Sequence, residues 1–106
     1  MSWREDAILG QVTIGQGTTI KKVVAYTPTL SPASVAAATV AEETFTVTGL
    51  TTDDVVIVSP PSIANATGIA GARVSAANTL AIRFVNPTAG ALVPTSGVFT
   101  VLAFRK

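Results

Sequence analysis

A chain of 106 residues makes one domain, of the size at which folding buries about 60 % of the extended surface, so its core is thin. Charged residues make up 12 % and hydrophobic ones 48 %, with a mean hydropathy of +0.54, whereas an ordinary soluble domain carries about 25 % charge. A formal net charge of +1, with the basic residues scattered except at Lys21-Lys22 and Arg105-Lys106, gives no electrostatic footprint for nucleic acid.

There is no cysteine, which excludes disulfides and thiolate metal sites, and no histidine, which removes the commonest metal ligand and general base. So apolar a surface implies burial in a membrane or against other subunits. The longest uncharged run, between Arg83 and Arg105, contains Asn86, Pro87, Pro94, Ser96 and Gly97. These break a helix and would put polar groups into lipid, so no membrane partner is expected. The N-terminus mixes Arg4, Glu5 and Asp6 with few apolar residues after them, which is not a secretory pattern, and points to synthesis in a cytoplasm.

Residues 1–17 have weak periodicity, three glycines and the only tryptophan, and read as an extended N-terminal arm on a single β domain spanning 18–106. Residues 18–26 are rich in β-branched side chains and form a first strand, placed at an edge because adjacent Lys21 and Lys22 discourage stray pairing. Pro28 and Pro32 keep the following segment extended for a crossing between sheets.

Residues 33–41 have two readings. Pro32-Ala33-Ser34 before an alanine cluster can start a short helix, while Val35, Thr39 and Val40 favour strand. The strand reading is preferred, because residues 44–48 alternate cleanly and need an antiparallel neighbour. Residues 49–54 make a turn, and Val55 to Val58, apolar on both faces, predict a central strand stopped by Pro60-Pro61.

A small-residue loop over 62–71 leads to a hairpin with its corner at Ala77-Asn78, since asparagine tolerates positive φ. Its second arm puts Leu80, Ile82 and Phe84 on one face and Thr79, Ala81 and Arg83 on the other, the period of a half-buried strand. After a connection over 86–97, residues 98–104 give a last strand with Phe99 and Val101 on one side and Leu102 and Phe104 on the other, again a central position. The sum is an all-β fold, a small antiparallel β-sandwich or jelly-roll-like barrel of about six or seven strands.

No catalytic, cofactor-binding or metal-binding set emerges, and no enzymatic activity is expected. The carboxylate pairs Glu42-Glu43 and Asp53-Asp54 are each consecutive, so in strands they point to opposite faces and do not converge on a substrate or a calcium ion. Gly15-Gln16-Gly17-Thr18 lacks the lysine and the strand-to-helix context of a phosphate loop. Asn65-Ala66-Thr67 fits a glycosylation acceptor, without a secretion signal to go with it.

The candidate residues are partner-binding ones. Trp3, with Arg4, Ile8 and Leu9, suits an arm that docks in a neighbour's pocket, the alternative being that Trp3 folds back on its own sandwich. Arg73, Arg83 and Arg105 can line one surface for an acidic partner, or serve as exposed strand charges that keep the sheet soluble.

Residues 44–49, 54–61, 72–88 and 94–97 together resemble small structural proteins of tailed-bacteriophage virions. The resemblance implies a capsid decoration or cement protein on the virion surface. It would bind and bridge major capsid subunits, form a homo-oligomer (a trimer), and assemble in the host cytoplasm. A receptor- or sugar-binding module of a tail or head fibre is the alternative, using the loops 62–71 and 86–97. No cofactor comes with either.

Overall fold

In the computed structural model, which describes residues 15–63 and 66–106, the alternating segment around Ile82 becomes the centre of one sheet. The elements in chain order are β1 (Lys22–Tyr26), β2 (Thr29–Leu30), β3 (Thr39–Thr46), β4 (Asp54–Ser59), β5 (Gly68–Ala76), β6 (Thr79–Asn86), β7 (Gly97–Val98) and β8 (Thr100–Arg105). They form two three-stranded antiparallel sheets, ordered β1-β8-β4 and β3-β6-β5, and a two-stranded ribbon of β2 and β7. No helix occurs among the described residues, so the fold is all-β and sandwich-like, with eight short strands where six or seven were expected. The proposed arm falls mostly on residues 1–14, outside the described residues.

The core lies between the two sheets. Leu80, Ile82 and Phe84 point inward from β6, joined by Val74 from β5, and meet Val101 and Ala103 from β8, with Val56 and Val58 of β4 packed against them. Phe45 sets its ring edge-on to Phe84, with centroids 6.5 Å apart, an arrangement the ring quadrupoles favour. Leu50 and Phe99, in the connections, fill the ends.

Several expectations need adjusting. Residues 33–38 are neither helix nor full strand. They run extended to a single bridge between Val35 and Leu92, then turn at Ala38 with φ of 52° before β3 begins. The last expected strand is divided at Phe99: Val98 pairs in the ribbon and Thr100 onward in the main sheet. The largest correction concerns β4, which is an edge strand and not a central one, so Val55 and Ile57 face outward uncovered. Apolarity on both faces was read as two-sided burial within the domain, and the fold buries only one of them.

The predicted corner forms at Asn78, which sits at φ of 59°. It also reaches across to the turn before β4. Its N–H donates to the Leu50 carbonyl, its carbonyl accepts from Val47 N–H, and its Oδ1 accepts from Gly49 N–H at 2.9 Å. Asn78→Ala is expected to destabilise the fold by about 1–2 kcal/mol, combining strain at positive φ with the lost side-chain bond. Asn78→Gly, which removes only the bond, should lose less, and urea unfolding of both variants checks the order.

Candidate docking faces

The register puts two different surfaces on the outside of the sandwich. On the outer face of β3-β6-β5, Glu42 lies opposite Arg83, and Arg83 opposite Gly71, while Thr44, Ala81 and Arg73 form the next row. Arg73 grips Glu42 in a fork, Nη2 to Oε1 at 2.9 Å and Nε to Oε2 at 3.1 Å. That hydrogen-bonded guanidinium, with Arg83 nearby, holds the Glu42 carboxyl below its ordinary pKa. Arg83 is exposed and makes no side-chain hydrogen bond among the described residues. Between the two arginines, Ala70, Gly71 and Ala72 floor an open depression of about 220 Å³. The chain bulges there, with a register shift between Ile69 and Gly71.

The three arginines expected on one surface are divided between the two sheets. Arg73 and Arg83 share a face, but Arg105 lies in the other sheet and is committed elsewhere. Its Nε donates to Asp54 Oδ1 at 2.8 Å, and its Nη2 reaches Asp54 Oδ2 and the Gly49 carbonyl. Arg105, followed by the Thr51 amide that donates to Oδ2, holds the Asp54 carboxyl below its ordinary pKa. Trp3, Arg4, Ile8 and Leu9 lie outside the described residues.

The carboxylates diverge as strand geometry requires. Glu42 is exposed, whereas Glu43 is half-buried and its Oε1 accepts from Ala33 N–H. Asp53 is exposed and Asp54 buried. Among the described residues no three His, Cys, Asp or Glu side chains gather around a metal position. A hollow between the loops, lined in part by Ile63, Phe84, Pro94 and Phe99, measures about 20 Å³, room for about one water and not for a sugar ring.

The outer face of β1-β8-β4 is the surface that sequence reasoning missed. Its rows are Val23, Phe104 and Val55, then Ala25, Leu102 and Ile57. All six side chains are apolar and uncharged, and Val23, Val55 and Ile57 are 53 %, 52 % and 60 % exposed. The signal was present in the doubly apolar patterns of Val55–Val58 and 98–104, which a central position was taken to explain. Together the six make one contiguous apolar patch, a kind of surface that on a monomer is often functional.

These features define a class: a small all-β domain with one charged face and one uncharged apolar face. Comparison with family models, with curated proteins and with solved structures gives no match to this chain.

Proposed function

We propose that this protein is a non-enzymatic structural component of a virion, a capsid decoration or cement protein that binds and bridges major capsid subunits and stabilises the head. The observation that carries the reading is the outer face of β1-β8-β4, where six apolar side chains stand without a charged residue among them. Such a face is stable in water only at a cost, and burying it against neighbouring subunits removes that cost. The opposite face, with Arg73, Glu42 and Arg83, stays compatible with solvent or with an acidic rim on the partner. The phage-like segments named above add capsid subunits as the partner and self-association into three copies.

The mechanism is mechanical. Docking through an apolar centre ringed by polar groups holds adjacent capsid subunits together, with an interface of about 1,600 Å² sufficient for stable, specific binding. The fibre alternative draws less support, because the loops 62–71 and 86–97 carry no aromatic residue to stack on a sugar.

Virions lacking the protein are expected to keep native morphology and to break open at lower temperature than complete ones. Adding back the wild-type chain should restore the heat tolerance, and Leu102→Glu with Phe104→Glu should not. Equal tolerance with and without the protein overturns the proposal.

A further inference from the structure

The charges on the outer face of β3-β6-β5 do not pair as the register would have them. Glu42 lies directly opposite Arg83, the cross-strand position at which opposite charges ordinarily meet. Glu42 is held instead by Arg73, which reaches from β5 across β6, where the short Ala81 is its register partner. That fork occupies both carboxylate oxygens. Arg83 is left exposed and, among the described residues, without a hydrogen-bond partner. The remaining charged residue of these strands, Glu43, lies in the inward row opposite Ile82 and accepts from Ala33 N–H. Two arginines against one glutamate leave this face a surplus of one positive charge.

The space beside Arg83 is kept open by the sequence. Its register partner on β5 is Gly71, which with Ala70 and Ala72 floors the depression of about 220 Å³ that Glu42, Arg73 and Arg83 wall. Neither backbone conformation nor crowding calls for a glycine there. Gly71 is absent from the residues at positive φ, and a Cβ built on it would meet nothing within 4 Å. What the glycine supplies is room next to a free guanidinium. The adjoining row is Val40, Val85 and Gly68, with Val40 53 % exposed and Val85 half-buried, so an apolar shelf borders the charged hollow.

We propose that this depression binds one carboxylate side chain of an acidic segment on a partner protein, with an aliphatic side chain of the same segment resting on Val40 and Val85. Arg83 offers a planar fork to a planar carboxylate, and Nη1 of Arg73, which Glu42 leaves unused, adds a donor at the other wall. The surplus of one charge matches a monoanion. A phosphate group, at about −1.5 to −2 near neutral pH, exceeds it and meets repulsion from Glu42. Arg83 and Val85 stand two residues apart on one face of β6, about 7 Å, which is also the spacing of alternate side chains in an extended peptide. A segment reading leucine, any residue, glutamate therefore meets shelf and hollow together. The site owes nothing to the apolar face of the other sheet and does not rest on the capsid reading.

The test is a titration of the isotope-labelled full-length chain, followed by nuclear magnetic resonance, with the peptide Leu-Ala-Glu-Ala, acetylated and amidated so that glutamate is its only charge. The Arg83 Nε–H and Gly71 amide resonances are expected to move together and to saturate. The same peptide with glutamine in place of glutamate should leave them where they are. Acetate, which lacks the leucine contact, should need about a tenfold higher concentration for the same shift. Arg83→Gln, read at the Gly71 amide, should abolish the response. Gly71→Leu, which fills the depression and leaves both arginines in place, should abolish it at the Arg83 Nε–H. Both should do so with an unchanged thermal unfolding midpoint. Arg73→Gln releases Glu42 to pair with Arg83 and should lose most of the response. No shift with the glutamate peptide, or a response that survives in Arg83→Gln or Gly71→Leu, overturns the inference. So does an equal response to acetate, which would make this a site for small acids, or tighter binding of inorganic phosphate. Heat tolerance of virions is a separate readout, so the capsid reading can fail while the carboxylate site stands, or the reverse.

Discussion

Asn86→Ala is expected to lower the unfolding free energy by about 2–4 kcal/mol, among the largest losses available from a single polar residue here. Asn86 ends β6 fully buried, and its amide uses its whole hydrogen-bonding capacity. Nδ2 donates to the carbonyls of Val35 at 3.0 Å and Gly90 at 2.9 Å. Oδ1 accepts from Thr88 N–H at 3.0 Å and from Thr88 Oγ1 at 2.7 Å. One side chain thus fastens the connection after β6 to the extended segment before β3, next to the bridge between Val35 and Leu92. Alanine removes all four bonds and leaves the Thr88 amide short of a partner. Asn86→Asp is the sharper probe: it keeps the shape but places acceptors against two carbonyls, so it should be at least as damaging as alanine. Thermal unfolding should show midpoints lowered by about 10–20 °C for a domain of this size. A loss below about 0.5 kcal/mol would mean that water substitutes for the amide.

The sequence presents Asn86 only as the start of a connection, and that limit is physical. Local periodicity reports which face of a strand is apolar, and there the reading was sound. Leu80, Ile82 and Phe84 are buried, Arg83 is exposed, Asn78 makes the corner, and Lys21-Lys22 marks an edge. What periodicity cannot report is the neighbour on the far side of a face. Ala81, on the nominally outer row, is fully buried between Thr44 and Arg73. Val55 and Ile57 look like core in one dimension and stand uncovered in three. The candidate site was hidden for the same reason. Its six residues come from β1, β4 and β8, some 80 residues apart in the chain, and only the register Val23–Phe104–Val55 unites them. Arg73 and Arg83 were legible together because one hairpin carries both, whereas the commitment of Arg105 to Asp54 depends on strands that pair across 51 positions.

That last pair carries a pH dependence whose sign is fixed by its environment. Asp54 is buried, and its carboxyl takes the Arg105 fork on both oxygens as well as the Thr51 amide. Its folded-state pKa is lowered, chiefly by the Arg105 hydrogen bonds, so the folded protein binds the proton less readily than the unfolded chain does. The stabilisation is therefore complete above the unfolded aspartate value, about 3.9, and is lost as pH falls through the lower folded value. Asp54→Ala should cost about 2–3 kcal/mol at neutral pH, since charged hydrogen bonds vanish at the point where the turn enters β4. The difference from wild type should hold steady from pH 7 to about 5 and narrow below about 4, as the unfolded chain takes up a proton that the folded carboxyl still refuses, closing once pH has fallen through the lower folded value. Asp54→Asn should show a smaller difference with the same closing at low pH, because it keeps an acceptor for the Thr51 amide. Urea unfolding across that range separates charge from shape. A gap that stays constant down to pH 2 would assign the contribution of Asp54 to packing, and would leave Arg105 free to serve a partner instead of the turn.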